Sequence, residues 1–192
     1  MQLRIRENRM NIFDKLDKTK IHTRQISTET YVVDEDHLLV EGVLKDDRTK
    51  VSRRSTGELI PAGTIHHMVI RLLLKLPSLG IEDLEVEIIS APYPDCLETC
   101  EVMNEIKGVS ISSGFSKKVR SMAGGPRGCA HLVSLLLAMG QAAFQGFWTH
   151  ESTDANQEGI YSEERLRFLE GTCWAWRKGG KLQQTLLEKI QL

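Results

Sequence analysis

Cys129 and His131 lie at the end of a glycine-rich segment, residues 124–131, which reads GGPRGCAH. Three glycines and a proline disfavour a helix up to Gly128, and the apolar run from Cys129 to Trp148 predicts one long helix. A cysteine in the first turn of a helix meets unpaired backbone N–H groups and the positive end of the helix dipole, and both favour the thiolate. We therefore expect sulfur and imidazole chemistry at this point of the chain.

Helical geometry decides how Cys129 and His131 can cooperate. Two positions along a helix separate side chains by about 200° around the axis, so a tight pair of nucleophile and base is awkward inside the helix. If Cys129 instead lies just before the helix as its N-cap, both side chains can face an ion above the helix end. The glycine-rich turn is then one wall of a site assembled from several segments, which favours binding over catalysis.

Other segments supply further candidates. Cys96 follows a strand and a proline-rich break, and Cys100 lies one helical turn further on, a spacing within the range of zinc ligands. His66 and His67 point to opposite faces of a strand, because strand side chains alternate. Cys173, beside two tryptophans, is typical of packing but is a candidate as well. His22 and His37 are interpreted as surface or turn residues.

Together these candidates form a mixed sulfur and nitrogen set. The predicted metal ligands are Cys96, Cys129, His131, His66 and Cys173. Thiolates with imidazoles suit zinc or an iron–sulfur cluster. If the chain is instead an enzyme, Cys129 is the nucleophile, with His131 or His66 as its base. A purely structural role stays open for each of these residues, as a buried cysteine or a hydrogen-bonded histidine.

Composition limits the classes of function. The chain has 192 residues, a formal net charge of −1 and 41% hydrophobic residues, which are typical of a soluble globular protein. No basic surface is indicated, so we expect no nucleic-acid or membrane partner. The N-terminus lacks the apolar core of a signal peptide, which predicts a cytoplasmic protein with reduced cysteines. The motifs of nucleotide-binding loops, serine hydrolases and zinc proteases are absent from the sequence.

The elements that must position these residues follow from hydrophobic periodicity. Residues 1–20 are predicted to form a polar arm, 21–180 one α+β domain, and 181–192 an amphipathic helix. Strands are predicted at Thr23–Val33, His37–Leu44, His67–Leu76 and Ile81–Ile89, a charged loop at Asp46–Glu58, and a short helix capped by Asp95. Strands first and helices after indicate an antiparallel sheet of three to four strands in the N-terminal half, covered by helices.

Several segments together resemble the bacterial domain-of-unknown-function family 2889. The matching pieces are Ile21-His22-Thr23-Arg24, Glu41-Gly42-Val43-Leu44-Lys45-Asp46, Ile65-His66-His67-Met68, Ala91-Pro92-Tyr93-Pro94-Asp95-Cys96, Gly128-Cys129-Ala130-His131-Leu132 and Gly171-Thr172-Cys173-Trp174-Ala175. The family often has His-Asp-Met where this chain has residues 66–68, and Cys-His-Ala where it has residues 173–175. The family name carries no function.

The order of elements also looks like the iron–sulfur scaffold proteins of the IscU/NifU type. In those proteins antiparallel strands precede a cysteine, a helix, and a cysteine/histidine pair that opens a long alanine-rich helix. The resemblance implies an IscU-like (SufE/NifU-type) arrangement in which cysteines and a histidine converge on zinc or a nascent cluster. It is an analogy of fold, which does not assign a function.

Three functions remain open on the sequence. The first is a metal- or sulfur-handling binding protein whose site holds zinc, an iron–sulfur cluster or persulfide. The second is an enzyme or accessory subunit of a small-molecule catabolic pathway that uses Cys129 as nucleophile. The third is an interaction module whose apolar helix packs against a protein partner.

Overall fold

A four-stranded antiparallel sheet occupies the N-terminal half of the fold, and helices follow it, in a computed structural model that describes residues 11–153 and 163–190. The strands are β1 His22–Asp34, β2 His37–Arg48, β3 Ser52–Arg53, β4 Leu59–Ile60, β5 Gly63–Lys75 and β6 Gly80–Ser90. The helices are α1 Thr99–Asn104, α2 Phe115–Ala123, α3 Ala130–Thr153, α4 Glu163–Leu169 and α5 Lys181–Ile190. The predicted α+β class is confirmed.

The sheet is a meander with strand order β1-β2-β5-β6, and β3 and β4 pair separately as a small hairpin. The predicted turn at residues 34–36 joins β1 to β2, and its position sets a register in which Arg24 pairs with Asp46. The β2 strand continues to Arg48, so the prediction that a loop begins at Asp46 is wrong. Cross-strand hydrogen bonds extend β2 because both neighbouring strands, β1 and β5, run past that point.

Strict alternation places one face of the sheet in the core. Along β2 the buried positions are Leu38, Val40, Gly42, Leu44 and Asp46. Along β5 the fully buried positions Met68, Ile70, Leu72 and Leu74 lie on the same face. Period-two patterning thus builds an apolar surface whose last inward position on β2 is a carboxylate.

Helix α3 covers this surface and contacts β1, β2 and β5. Leu132, Leu135 and Met139 are fully buried. A Cβ at Gly42 would lie 2.5 Å from Met139 Sδ, and one at Gly146 would lie 2.7 Å from Thr30 Cβ, so the absence of side chains lets the helix approach both strands. The helix therefore runs along β1 and β2, with its N-terminus at the end of the sheet where Asp46 lies.

By length and composition alone, Ala130–Glu151 of α3 is the one described helix that would be able to cross a bilayer. Its buried residues pack against the sheet, as in the core helix of a soluble domain.

The connection between the sheet and α3 differs in detail from the prediction. Asp95 does not cap a helix: it lies inside a 3-10 turn, Pro94–Glu98, whose N-cap is Tyr93 and which has no side-chain cap. The proline fixes the start of this turn two residues earlier than a cap at Asp95 requires. Before α3, a Cβ at Gly128 would lie 2.5 Å from the carbonyl oxygen of Ala123, so this glycine is needed for the sharp passage from α2 to α3.

A second, smaller apolar cluster lies at the C-terminal end of α3. It buries Leu166 and Leu169 of α4 with Leu186 of α5. Partly buried residues pack around it: Phe144, Trp148, Trp176 and Ile190. The predicted amphipathic C-terminal helix lies here as α5, while residues 1–10, part of the predicted N-terminal arm, and 191–192 lie outside the described residues.

Candidate functional site

A polar row crosses the end of the apolar sheet face. In the register of the sheet, Arg24 of β1, Asp46 of β2 and His66 of β5 are direct cross-strand neighbours. The row next to it is apolar, with Ile26, Leu44 and Met68 at the corresponding positions. Alternation and register therefore place three chemically active side chains side by side, under the N-terminus of α3.

Asp46 is the centre of the row, and its side chain is only 1% exposed. Arg24 Nε donates to Oδ1 and Nη2 donates to Oδ2, both at 2.7 Å, in a bidentate ion pair. This guanidinium is the main reason why the pKa of Asp46 falls to about 2. The carboxylate is therefore ionised at neutral pH although it is buried.

His66 lies on the other side of Asp46, with Nδ1 3.0 Å from Oδ2. Burial is the largest cause of a lowered pKa at His66, and Arg24 and Arg48 add to it against the opposing effect of the carboxylate, so the ring is neutral at pH 7. A carboxylate only accepts hydrogen bonds, so Nδ1 carries the proton and Nε2 keeps a lone pair. The ring is thus held in one tautomer.

His131 approaches Asp46 from α3. Its Nε2 lies 3.6 Å from Oδ2, and its ring stacks on His66 with centroids 3.8 Å apart and planes inclined by 29°. Burial, and then the neighbouring His66, lower its pKa. Two neutral imidazoles and one carboxylate therefore meet at this point.

Cys129 contacts the other nitrogen of His131, with Sγ 3.6 Å from Nδ1. The carbonyl oxygen of Cys129 accepts the first hydrogen bond of α3, from Val133, which makes Cys129 the N-cap of the helix. With Cys129 at the N-cap position, the side chains of Cys129 and His131 can face one site, as the sequence predicts for that position. Atoms of Cys129, His131 and Asp46 thus form a continuous chain of contacts.

A residue that sequence reasoning assigned to the surface lies beside the polar row. His22 Nε2 lies 3.4 Å from Asp46 Oδ1, and the side chain is 43% exposed. Within residues 11–153 and 163–190, one group of three or more metal-binding side chains has ligand atoms within 4.8 Å of one another: Asp46, His66 and His131. His22 lies beside this group at its solvent edge.

Of the five predicted ligands, the structure brings His66 and His131 together and places Cys129 against His131. Cys96 is partly buried in the 3-10 turn, and Cys173 is exposed; neither belongs to the group around Asp46. Burial is the main cause of a raised pKa at Cys100, and the neighbouring Cys129 adds to it. The full five-residue ligand set stays a prediction.

Sequence reasoning missed Arg24 and Asp46, and it assigned His22 to the surface. The signal for Asp46 is present: it continues the period-two stripe of β2 by one step. Arg24 then follows from the hairpin, because a turn centred on residue 35 pairs position 24 with position 46. His22 is two residues before Arg24 on the same strand face.

Fold and site together define an α+β protein with a buried carboxylate, two neutral imidazoles and a cysteine at one end of its sheet. A family model described as "Protein of unknown function (DUF2889)" matches residues 22–145, and the chain belongs to this family. No curated protein and no solved structure matches the chain. The IscU/NifU-type arrangement stays a prediction.

Proposed function

We propose that this protein binds a divalent transition-metal ion through Asp46, His66 and His131. The observation that carries the proposal is that the ligand atoms of these three residues lie within 4.8 Å of one another. Ligand atoms that share an ion at bonds of about 2.0–2.2 Å are separated by roughly 3–3.5 Å. The distances from Asp46 Oδ2 to His66 Nδ1 and His131 Nε2, 3.0 Å and 3.6 Å, are close to this range. Coordination through His66 Nδ1 would release the proton that this nitrogen shares with Asp46, as metal binding to imidazole generally does.

The chemistry of the three ligands favours zinc or ferrous iron. Two imidazoles and one carboxylate form the protein ligand set of many catalytic zinc sites and of non-haem iron sites, in which further positions stay open for water or substrate. An iron–sulfur cluster needs more thiolates than the one cysteine at this site supplies. An open metal of this kind polarises a bound group or lowers the pKa of a bound water.

The neighbours of the ligands support this role. Arg24 holds the carboxylate by two hydrogen bonds, and Cys129 contacts His131 at the nitrogen that faces away from Asp46. Partners of this type fix the orientation of metal ligands. The stacked rings set one condition: each nitrogen lone pair lies in its ring plane, so full coordination requires one ring to rotate. His131, 26% exposed, has more room for this than His66, which is 12% exposed.

The test is metal binding by the full chain purified without a histidine tag. Elemental analysis and titration of chelator-treated protein with Zn²⁺ are expected to give one ion per chain. Replacing Zn²⁺ by Co²⁺ reports the ligands, because a bound thiolate adds a strong near-ultraviolet charge-transfer band. We expect visible cobalt bands without that sulfur band, since Cys129 contacts a ligand and is not one.

Matched neighbours provide the controls. Asp46→Asn and His66→Gln are expected to weaken Zn²⁺ binding at least 10- to 100-fold. Asp47→Asn and His67→Gln alter the adjacent positions on the opposite face of the sheet, and we expect unchanged binding. Equal loss in both pairs, with folding intact by circular dichroism, would contradict the proposal, and so would absence of stoichiometric binding in the wild type.

A second function is favoured by one contact, that of Cys129 Sγ with His131 Nδ1 at the start of α3. With Asp46 beyond His131, it gives the order of a nucleophile, a base and an orienting carboxylate. Cys129 is 9% exposed and Cys173 is exposed, so iodoacetamide distinguishes reactivity from access. Faster alkylation of Cys129 than of Cys173, lost in His131→Gln, would favour the nucleophile over the metal ligand set.

A further inference from the structure

A cleft of about 550 Å³ opens directly above the polar row. Its floor contains Asp46, His66 and His131, and its walls come from the ends of β1, β2 and β5 and from the residues that lead into the β3–β4 hairpin. This volume is within the usual range for sites that bind small molecules. The charge and the apolar surface of its lining therefore indicate what kind of molecule can reach Asp46, His66 and His131.

The charge of the cleft is positive. Its lining contains three permanent cations and one carboxylate, and Arg24 is paired to that carboxylate. The other two cations are Arg48 and Lys50; among the described residues, neither has an acidic side chain within 4.0 Å. Arg48 Nη1 instead donates to Ser52 Oγ at 2.6 Å, which fixes the guanidinium at the wall. Counting these three cations and the one carboxylate, the lining carries a net formal charge of +2.

The walls are also apolar. Ile21 and Val51 are each 62% exposed, and Ile65 also lines the cleft. Branched apolar side chains exposed in a cleft favour ligands that cover them. A ligand that satisfies both features has an anionic group and an apolar body.

We propose that the cleft binds a small organic carboxylate. The carboxylate contacts Arg48 and Lys50, the aliphatic or aromatic body lies against Ile21, Val51 and Ile65, and the far end of the molecule faces the floor. A planar guanidinium matches the two oxygens of a carboxylate, and the apolar walls have no role for an inorganic anion. The inference rests on the proposed function only for what happens to the far end of the ligand at Asp46, His66 and His131.

The experiment is a calorimetric titration of the full chain with hexanoate, its uncharged analogue hexanamide, acetate and inorganic phosphate. We expect hexanoate to bind at least about tenfold more tightly than hexanamide, because the amide lacks the charge, and more tightly than acetate, because acetate lacks the body. No heat from hexanoate up to about 10 mM would overturn the proposal. Equal affinity for hexanamide, acetate or phosphate would overturn it as well.

Variants assign the binding to this wall. Arg48→Gln with Lys50→Gln is expected to weaken hexanoate binding at least about tenfold. Lys45→Gln removes a cation from the opposite face of β2, and we expect no change in hexanoate binding; equal loss in both variants would overturn the assignment.

Separate outcomes distinguish the metal proposal from the carboxylate proposal. Zn²⁺ binding is expected to persist in the Arg48/Lys50 double variant, and hexanoate binding in chelator-treated wild-type protein. If only metal binding fails, the proposed carboxylate site is unaffected; if only hexanoate binding fails, the proposed metal site is unaffected.

Discussion

At the scale of residues, the central fact is an ionised carboxylate at an inward position of a strand. Burying a charge is costly unless it is paired and hydrogen-bonded. Asp46 meets this requirement with a bidentate arginine and with imidazoles at 3.0, 3.4 and 3.6 Å. An apolar side chain would extend the core at lower cost, so we infer that the carboxylate is present for the chemistry of the site.

The first prediction concerns Arg24. Arg24→Gln removes both charge-assisted hydrogen bonds to a buried carboxylate that keeps only imidazole partners. We expect the free energy of unfolding to fall by about 1.5–3 kcal/mol, measured by urea denaturation. Arg48→Gln is the control, since Arg48 has no described acidic partner. Equal midpoints for wild type and Arg24→Gln would show that the ion pair does not stabilise the fold.

The second prediction concerns acid. The pKa of Asp46 is about 2 in the folded protein, against about 3.9 for an unfolded aspartate. The unfolded chain takes up the proton first, so the contribution of Asp46 is complete above the unfolded pKa and is lost as pH falls through the folded one. We expect the difference in unfolding free energy between chelator-treated wild type and Asp46→Asn to shrink between about pH 5 and pH 2. A constant difference over this range would contradict the assigned pKa.

At the scale of elements, the seating of α3 determines where His131 lies. The helix touches Asp46 with His131, Gly42 with Met139, and Thr30 with Gly146, which are successive points along β1 and β2. The hydroxyl of Thr30 also donates to the carbonyl oxygen of Ala142 at 3.4 Å. The distance from His131 to Asp46 therefore depends on contacts three to four turns away.

The third prediction concerns Gly146. In an exposed helix, glycine to alanine gains about 1 kcal/mol of helix propensity. Here the new Cβ would lie 2.7 Å from Thr30 Cβ, so we expect overpacking of about 1–3 kcal/mol to dominate and lower stability. Gln145→Ala, at an exposed neighbouring position, is the control. Thr30→Gly, which removes this Cβ with the rest of the side chain, is expected to relieve the overpacking of Gly146→Ala in a double-mutant cycle; additive effects would contradict direct contact.

The fourth prediction concerns the β1–β2 turn. His37 contacts Asp34 through Nδ1 at 2.8 Å and Glu82 of β6 through Nε2 at 2.9 Å. The hydrogen bond to Asp34 is the main reason why the pKa of His37 is raised. The folded state therefore holds the proton longer, so this stabilisation is complete below the unfolded pKa of about 6.5 and is lost as pH rises through the folded value. An NMR titration should give His37 a higher pKa in the wild type than in Asp34→Asn, and equal values would refute the contact.

The strands show how far the sequence predicts the structure. The sequence located all four strands of the main sheet and the hairpin turn. The strands β2, β5 and β6 have buried apolar positions that mark them, whereas β1 has no buried residue and is indicated by its β-branched residues and the acidic turn that follows it. The sequence did not locate the end of β2, since the charged run from Asp46 to Arg48 has the composition of a loop and only pairing with β1 and β5 keeps it in the sheet. Without the strand pairing, the site is only partly visible in the sequence. His66, His131 and Cys129 are recognisable by residue type, whereas the role of Arg24 follows only from its pairing with Asp46.

At the scale of the whole molecule, two apolar clusters share α3. The larger lies between the sheet and the first half of the helix, and the smaller joins the second half to α4 and α5. The candidate site is built on the larger one alone. Local unfolding of the C-terminal helices should therefore leave the site intact.

The fifth prediction separates the clusters. Leu186→Ala opens the smaller cluster, so we expect faster amide hydrogen exchange in α4 and α5 with unchanged Zn²⁺ affinity. Leu135→Ala, at a fully buried position beneath the sheet, is expected to cost about 2–5 kcal/mol of global stability. Loss of Zn²⁺ affinity in Leu186→Ala would show that the two clusters are coupled.

The small β3–β4 hairpin has a consequence for how such proteins diversify. Its two strands form a separate sheet, and it supplies Ser52 to the cleft while Val51 directly precedes it. The reactive side chains lie on the long strands of the main sheet and at the start of α3. Insertions or exchanges in the hairpin leave the register of those strands untouched. In a diverging lineage this part of the cleft wall can thus change without altering the reactive centre, and an engineer can graft new hairpins while Arg48 and Ile65 keep their places on the long strands.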